Sequence, residues 1–364
     1  MNQPNSNKKV LIAMSGGVDS SVSAALLKGE GYEVIGATMQ IWQTEEEEER
    51  ENGCCSLTAV NDARRVADKL GIPYYVLNFR DIFRERVIEY FIKEYQAGRT
   101  PNPCIVCNKE VKFEALLDKA ISMGLDYIAT GHYAQVEFKD GRYLLKKAIS
   151  KTKDQTYALY NLTQDQLAKT LFPVGGYEKD KIREIAKKYD LGVASKPDSQ
   201  EICFVEDNDY AKFISEHTDS EMLPGDIVDT KGDVLGKHNG IFNYTVGQRK
   251  GLGIPSNIPL YVVEIDIEKN QVIVGNDEET FSNSLIARDL NWISIEKLEK
   301  EMKVEAKIRY GDKEAPAVIK PLEDGRVEVL FDTPQRAITP GQSVVFYDGE
   351  YVVGGGVIDN GSFM

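Results

Sequence analysis

The stretch that decides the fold of this chain is Val10-Leu11-Ile12-Ala13-Met14-Ser15-Gly16-Gly17-Val18-Asp19-Ser20-Ser21. A short apolar run typical of a buried strand breaks into Ser-Gly-Gly, and a helical pattern follows at once. Two adjacent glycines let the backbone approach a ligand closely, while the serine hydroxyls and the unpaired N–H groups of the new helix can bind an anion. The stretch therefore predicts a phosphate-binding loop between a strand and a helix.

This loop differs from two common phosphate-binding patterns. No Gly-Lys-Ser/Thr follows at the spacing of a P-loop, and the stretch lacks Gly-x-Gly-x-x-Gly. It resembles the pyrophosphate-binding loop of the ATP pyrophosphatases, which split ATP to AMP and pyrophosphate while they activate a carbonyl or carboxyl group. The resemblance implies that Asp19 helps to hold Mg²⁺ on the pyrophosphate of ATP.

Apolar runs and helical patterns alternate through the first third of the chain. Strands are predicted over 33–39, 74–79 and 127–131, and helices over 20–28, 58–70, 83–97 and 109–123. Such alternation predicts an α/β domain with a doubly wound parallel sheet, whose ligands lie at the carboxyl ends of the strands. Beyond Pro224 short β runs are separated by Gly, Asp and Asn, which indicates small barrels or sandwiches.

Length, composition and charge limit the classes of protein to which this chain can belong. The chain has 364 residues, of which 42% are apolar, and no apolar run approaches the length of a membrane span. The polar N-terminus lacks the apolar core of a signal peptide, so we expect a cytoplasmic protein. The net charge of −14 argues against general nucleic-acid binding but leaves a local basic face open.

Five cysteines in a chain of this size argue against a disulfide framework and favour thiols with chemical roles. Cys104 and Cys107 form a Cys-x-x-Cys pair, and we predict that Asn108 caps the helix that follows. The helix dipole and Lys109 would then favour a thiolate at Cys107. Cys203 is the candidate partner, and half of a structural zinc site is the alternative for the pair. For Cys54 and Cys55 we favour a structural or incidental role.

Several motifs together resemble the tRNA-specific 2-thiouridylases, which replace O2 of the wobble uridine, position 34 of tRNA, with sulfur. They are Ser-Gly-Gly-Val-Asp-Ser at 15–20, Cys-Cys-Ser at 54–56, Thr-Pro-Asn-Pro at 100–103 with Cys-Asn-Lys at 107–109, Gly-His-Tyr at 131–133, Lys-Asp-Gln-Thr-Tyr at 153–157, Ser-Gln-Glu-Ile-Cys-Phe at 199–204 and Tyr-Thr-Val-Gly-Gln-Arg-Lys-Gly at 244–251. The resemblance covers nearly the whole chain. It implies a catalytic domain at 1–208, a small β-rich adaptor domain at 209–284 and a C-terminal, tRNA-contacting β-barrel at 285–364.

The resemblance also implies a role for each motif. Cys107 would be the nucleophile and Cys203 the persulfide carrier. The residues that would contact ATP are Ala13, Met14, Ser15, Gly16, Gly17, Val18, Asp19, Ser20, Met39 and Gly131. The residues that would line the pocket for the target base are Asn102, Pro103 and Cys104, although some relatives carry Asp in place of Cys104. The residues that would face tRNA are His132, Lys153, Asp154, Gln155, Arg309, Tyr310 and Gln342.

The implied partners are the tRNAs for Lys, Glu and Gln and a sulfur donor such as a cysteine desulfurase or a sulfur-relay protein. Three alternatives stay open. Another ATP-dependent ligase or synthetase of the same superfamily would share the loop, but it would not need two distant thiols. An iron–sulfur protein would use Cys104, Cys107 and Cys203 as cluster ligands, which we do not favour. A non-catalytic RNA-binding module would leave the Ser-Gly-Gly loop without a use.

Overall fold

The computed structural model describes residues 5, 7–42, 57–194, 196, 202–205, 209–218 and 223–359. Cys54 and Cys55, and the 199–201 part of the motif that ends at Phe204, lie outside these ranges. Within the ranges, no helix combines the length and the apolar character that crossing a membrane requires.

The N-terminal part of the chain is built on a parallel sheet of five strands. The strands up to residue 171 are β1 (Lys9–Ala13), β2 (Glu33–Gln40), β3 (Tyr74–Asn78), β4 (Tyr127–Ala129), β5 (Gln135–Lys139), β6 (Arg142–Lys146) and β7 (Thr170–Leu171). Five of them form the sheet in the order β3-β2-β1-β4-β7, and each neighbouring pair is parallel. The predicted doubly wound sheet is therefore confirmed.

Helices cover both faces of this sheet. They are α1 (Val18–Gly29), α2 (Leu57–Leu70), α3 (Arg80–Phe83), α4 (Glu89–Gln96), α5 (Pro103–Val106), α6 (Leu116–Ser122), α7 (Gln164–Ala168) and α8 (Lys179–Lys188). π-Helical segments over Arg84–Ile88 and Cys107–Ala115 join α3 to α4 and α5 to α6. Along β1, Leu11 packs into one apolar cluster and Val10 and Ile12 into another. Successive side chains of a strand point to opposite faces, so both faces of the sheet are buried.

A smaller β-rich unit follows. It contains α9 (Tyr210–Glu216), β8 (Gly225–Asp229), β9 (Val234–His238), β10 (Tyr261–Asp266) and β11 (Gln271–Gly275). The four strands form one sheet in the order β10-β11-β8-β9. Ile227, Val262 and Val272 are fully buried in the apolar core of this unit, which accounts for its stability without a larger sheet.

The C-terminal unit is a closed barrel. Its strands are β12 (Phe281–Trp292), β13 (Met302–Lys307), β14 (Ala315–Pro321), β15 (Val327–Arg336), β16 (Ser343–Asp348) and β17 (Tyr351–Ile358). They are arranged in the order β12-β15-β14-β13-β16-β17, and pairing of β12 with β17 closes the ring and leaves no open edge. The expected barrel is confirmed; its first strand begins at Phe281, so the expected boundary at 284/285 lies within β12.

The N-terminal part of the chain and the barrel are joined through a shared sheet. The β5–β6 hairpin adds to the barrel sheet, where Lys146 pairs with Tyr351 of β17. Tyr157, from the Lys-Asp-Gln-Thr-Tyr motif, reaches into the barrel, where its hydroxyl donates to the Ser343 carbonyl at 2.8 Å. Its side chain is 1% exposed, so this hydrogen bond is shielded from water. The motif therefore ties the barrel to the parallel-sheet domain.

We expect Tyr157→Phe to destabilise the protein by about 1–2 kcal/mol, because a buried carbonyl would lose its donor and stay desolvated. Denaturant unfolding measures this as a lower transition midpoint. The matched control is Tyr75→Phe, since Tyr75 is 49% exposed on an edge strand, and its midpoint should stay at the wild-type value. A wild-type midpoint in Tyr157→Phe would contradict the role assigned to its hydroxyl.

Candidate active site

The Ser-Gly-Gly loop joins β1 to α1 in a conformation that its glycines permit. Gly16 has φ +68°, and a Cβ there would lie 2.4 Å from the Ala59 carbonyl oxygen. The Ser15 N–H donates to Ser20 Oγ at 3.2 Å, and the Ser21 hydroxyl donates to the Gly17 carbonyl at 2.8 Å. These bonds hold the loop so that the amides of the first turn of α1 point outward from the strand end, as anion binding requires.

The other predicted nucleotide residues meet at the same edge of the sheet. Met39 lies near the end of β2, and Gly131 follows the end of β4. A Cβ on Gly131 would lie 2.7 Å from the Ser20 nitrogen, so glycine is required where these two segments touch. Because the strands are parallel, their carboxyl ends form one edge, and the fold brings these predicted residues together there.

Asp19, in the first turn of α1, is held by two residues that the sequence did not single out for this site. The Tyr133 hydroxyl donates to Asp19 Oδ1 at 2.7 Å, and Lys179 Nζ lies 2.9 and 2.8 Å from the two carboxylate oxygens. Lys179 and Asp19 are only 12% and 26% exposed, and the ammonium also lies over the Tyr133 ring. The carboxylate is thus fixed and its charge is balanced at the mouth of the loop.

A second lysine also lies against the loop. Lys196 Nζ is 3.3 Å from the Gly16 carbonyl oxygen and 3.0 Å from Asp62 Oδ2. Lys179 and Lys196 come from far along the chain, and no spacing or periodicity marks them as partners of residues 15–20. The site therefore combines helix N–H groups, two carboxylates and two ammonium groups, a set that suits a polyphosphate with a divalent cation.

The helix that carries the two cysteines begins earlier than predicted. Asn102, not Asn108, is its cap: the Asn102 side chain accepts from the N–H groups of Cys104 and Ile105 at 3.1 and 3.3 Å. Pro103 occupies the first helical position, where its missing N–H costs nothing and its fixed φ favours the helix. The Thr-Pro-Asn-Pro segment thus contains the start of the helix, which the sequence predicted to begin at residue 109.

This correction changes which thiol the helix dipole reaches. Cys104 is exposed in the first turn, whereas Cys107 is buried and lies farther into the helix. Asn108 instead donates to the Ala158 carbonyl at 2.8 Å and accepts from Lys112 Nζ at 3.0 Å. Stabilisation of a thiolate by the dipole falls off after the first turn, so it acts on Cys104 more than on Cys107.

Cys203 is exposed, and its neighbour Phe204 anchors it. The Phe204 ring packs edge-on against Phe83 and Phe91, with ring centroids 5.6 and 5.3 Å away. Phe204 and Cys107 belong to the same apolar cluster, which also includes Leu11 beneath the phosphate-type loop. The fold thus brings the segments of both predicted catalytic thiols to one core.

His132 lies partly buried behind the cysteine helix. Its Nδ1 is 2.8 Å from Thr130 Oγ1, and its ring contacts those of Phe113 and Phe172. Burial lowers the pKa of His132 well below 6.5, and the nearby Lys112 ammonium lowers it further. The histidine is therefore neutral at physiological pH, and its Nδ1 is hydrogen-bonded to Thr130.

The Lys153–Gln155 segment supports the site from behind. Gln155 exchanges two hydrogen bonds with Tyr133, each 2.9 Å long, and Tyr133 in turn holds Asp19. Asp154 accepts from the Ala148 N–H at 2.9 Å and from the Thr156 hydroxyl at 2.6 Å, and burial raises the pKa of its carboxyl group. Lys153 is half-buried at the surface of the same turn.

A cleft of about 340 Å³ lies where the three units meet. It is lined by Thr100 of the parallel-sheet domain, Thr245, Val246, Gly247 and Gln248 of the middle unit, and Arg309, Thr339 and Gln342 of the barrel. Arg309 is held by the Ala337 carbonyl at 2.6 Å and the Thr339 hydroxyl at 2.8 Å. Of the residues predicted to face tRNA, Arg309 and Gln342 thus share one cleft, and Tyr310 is 47% exposed next to it in sequence.

Side chains that could ligate a metal ion are not clustered in the described part of the chain. Over the ranges given above, no three His, Cys, Asp or Glu side chains are close enough to one another to hold a metal ion by themselves.

Family comparisons agree with this architecture. Residues 8–207 match the tRNA methyl transferase HUP domain, residues 211–276 match the tRNA methyl transferase PRC-barrel domain, and residues 282–358 match the aminomethyltransferase beta-barrel domain. The three matches follow the three units of the fold in order.

Individual relatives match nearly the whole chain. It is 66% identical over 357 residues to the tRNA-specific 2-thiouridylase MnmA of Acetivibrio thermocellus, covering 97% of this chain and 99% of that protein. It is 64% identical to the tRNA-specific 2-thiouridylase MnmA 2 of Caldanaerobacter subterraneus subsp. tengcongensis, covering 97% and 98%. A solved 4-thiouridine synthetase in complex with RNA and ATP is far more distant, with 17% identity, a TM-score of 0.36 and coverage of 52% and 43%. On the identity and coverage of the first two relatives, the chain belongs to the family of tRNA-specific 2-thiouridylases.

Proposed function

We propose that this protein uses ATP to replace O2 of the wobble uridine, position 34 of tRNA, with sulfur, giving 2-thiouridine. The observation that carries the proposal is the packing of both cysteine segments on one buried cluster that includes Leu11 of β1, the strand that leads into the Ser-Gly-Gly loop, in a chain that matches named 2-thiouridylases over 97% of its length. A ligase of the same superfamily would need the loop but would have no use for the thiols.

The ATP step would activate a carbonyl group that is otherwise unreactive. The C2 carbonyl of uracil is a poor electrophile, and its oxygen is a poor leaving group, so attack by sulfur alone would be slow. Transfer of AMP from ATP to O2 releases pyrophosphate and turns that oxygen into part of a good leaving group. The α1 amides and the ammonium groups of Lys179 and Lys196 would stabilise the charge that develops on the departing pyrophosphate.

The Asp19 carboxylate suits a Mg²⁺ ion bound with ATP, because Mg²⁺ is usually held by one or two carboxylates together with substrate phosphates. Asp19 would hold it, with the phosphates supplying further oxygen ligands, and the bound ion would neutralise phosphate charge. Tyr133 would keep the carboxylate oriented through its 2.7 Å hydrogen bond. Among the other predicted contacts, Ala13, Met14 and Met39 would line the nucleotide site at the strand ends. Gly131 would leave room for the nucleotide beside α1.

Sulfur delivery would use both thiols. A persulfide on Cys203 attacks C2 through its terminal sulfur, AMP departs with O2, and the base is left joined to Cys203 through two sulfurs. The Cys107 thiolate then attacks the Cys203 sulfur, which breaks the sulfur–sulfur bond, frees the thiolated base and forms a Cys107–Cys203 disulfide. An external thiol reductant restores both cysteines, and a persulfide donor such as a cysteine desulfurase or a sulfur-relay protein reloads Cys203.

The target base would leave the anticodon stack to reach this site, which costs less in a single-stranded loop than in a duplex. Asn102, Pro103 and Cys104 would line its pocket. Lys153, Arg309 and Tyr310 would contact tRNA, for which we propose the Lys, Glu and Gln acceptors. The exposed Tyr310 ring, with Lys307 Nζ 5.7 Å from its centroid, suits stacking on a base next to a phosphate.

We expect Lys179→Met to weaken ATP binding in the presence of Mg²⁺ at least tenfold. The site would lose one of the two ammonium groups proposed to offset the charge of the triphosphate, and Asp19 would lose a hydrogen-bonded partner that fixes its carboxylate. Equilibrium binding of ATP measures this. The matched control is Lys181→Met, because Lys181 lies on the same helix, is 58% exposed and pairs with Glu184. Equal ATP affinities in the two variants would remove Lys179 from the nucleotide site.

The thiol roles are tested by converting each cysteine to serine and measuring 2-thiouridine in tRNA nucleosides by mass spectrometry, with ATP, Mg²⁺ and a persulfide donor. Cys203→Ser should abolish thiolation and spare tRNA-dependent release of pyrophosphate, because the ATP step uses other groups. Cys107→Ser should also stop turnover but still accept a persulfide on Cys203. Cys104→Ser should keep most of its activity.

The alternatives give different outcomes in the same experiment. If the three cysteines held an iron–sulfur cluster, Cys104→Ser would be as damaging as the other two variants, and iron and sulfide would be found in anaerobically purified wild-type protein. Full thiolation by Cys203→Ser would end the persulfide mechanism. A wild-type protein that forms no 2-thiouridine under these conditions would end the proposed function.

A further inference from the structure

Three consecutive residues just before the cysteine helix each meet another part of the molecule. Gly98 packs on the middle unit, where an added Cβ would lie 2.8 Å from Ile267 Cγ1. Arg99 Nε donates to Glu94 Oε2 at 2.8 Å, and the same oxygen lies 3.6 Å from Arg288 Nη2 on the barrel strand β12. Glu94 is only 6% exposed, so this ion pair network is shielded from solvent.

Of the three residues, Thr100 makes the closest contacts, and these are with the barrel turn formed by residues 340–342. The Thr100 N–H donates to the Pro340 carbonyl at 2.8 Å, and the Thr100 carbonyl accepts from Gln342 Nε2 at 2.7 Å. The turn is itself tied to β17, since the Gly341 N–H donates to the Ile358 carbonyl at 2.9 Å. Both backbone polar groups of Thr100 are therefore satisfied by the barrel and not by the domain to which Thr100 belongs.

Gly341 is what makes this contact possible. It has φ +88°, and a Cβ there would lie 2.9 Å from the Thr100 nitrogen and 3.0 Å from the Arg99 Cβ. Contacts this short with backbone cannot be relieved by rotating a side chain, so any other residue would push the turn away from Thr100.

The path from Thr100 to the thiols is short and stiff. Pro101 and Pro103 have fixed φ angles, and each also restricts the residue before it. Between them, Asn102 caps the helix by accepting from the N–H groups of Cys104 and Ile105. A displacement of Thr100 is therefore passed to the cap and to the first turn of the helix, because few rotatable bonds lie between them.

We propose that the 340–342 turn of the barrel positions the cysteine helix, with Gly341 and Gln342 as positioning residues. The barrel sets where Cys104 and Cys107 lie by holding Thr100, so sulfur transfer depends on a contact that lies outside the catalytic part. The effect on turnover rests on the proposed function, whereas the effect on the helix does not.

The test compares two glycine variants in the same barrel. Gly341→Ala adds a methyl group against Thr100. Gly325→Ala is the matched control, because Gly325 has φ +84° and open space where its Cβ would lie, so it has the same backbone strain without the clash. In tRNA-free protein, hydrogen exchange of the amides in 98–108 should be at least tenfold faster in Gly341→Ala and should stay at the wild-type rate in Gly325→Ala.

Kinetics separate positioning from general damage. In Gly341→Ala, kcat for tRNA thiolation should fall at least tenfold while the Kd for ATP stays within twofold of wild type, because the phosphate-type loop does not contact the turn. In Gly325→Ala both quantities should stay at wild-type values. If Gly341→Ala does not fold, Gln342→Met removes only the donor to the Thr100 carbonyl, and its exchange is measured without tRNA so that contact with tRNA plays no part.

The proposal is overturned if exchange in 98–108 is unchanged in the folded variants, if Gly325→Ala has the same effect, or if exchange rises while kcat does not fall. If the wild-type protein forms no 2-thiouridine, the proposed function fails, and the exchange measurement alone then decides whether the turn holds the helix.

Discussion

The ion pair between Asp19 and Lys179 is the interaction on which the arrangement of the site depends. It joins the first turn of α1 to the start of α8, and the Tyr133 hydroxyl adds the segment that follows β4. Both partners are largely shielded from water, so removing one would leave a poorly solvated charge. It would also remove an ion pair that holds α1 and α8 together. These contacts hold the Asp19 carboxylate and the first turn of α1 in one fixed arrangement.

Hydrogen bonds continue from this pair to the barrel. Tyr133 exchanges two bonds with Gln155, and the next residues, Thr156 and Tyr157, contact Tyr347 and Ser343 of the barrel. The segment that supports Asp19 from behind is therefore the same one that attaches the barrel. The Lys-Asp-Gln-Thr-Tyr motif at 153–157 therefore supports the site through contacts within the protein, in addition to any contact with RNA.

The two thiols of the Cys-x-x-Cys pair have different surroundings for a physical reason. The cap at Asn102 places exposed Cys104 in the first helical turn, at the positive end of the helix dipole, and it places Cys107 in the apolar cluster below. Cys203 is also exposed, and the packing of the neighbouring Phe204 ring holds its segment against the same apolar cluster.

By itself the sequence determined the local structure. The apolar run before Ser-Gly-Gly and the helical spacing after it specified a strand, a phosphate-type loop and a helix, and alternation of such units specified a parallel sheet, since backbone periodicity and glycine chemistry are properties of neighbouring residues. It misplaced the start of the cysteine helix because Asn102 and Asn108 are both good caps, although Pro103 at the first helical position is a local signal for the earlier start. The tertiary structure alone decided that Lys179 and Lys196 meet the loop, that Cys107 and Phe204 share a core, and that a barrel turn holds Thr100. Each of these joins residues far apart in the chain, and an ion pair, a ring contact or a single hydrogen bond leaves no repeating pattern in the sequence from which it could be predicted.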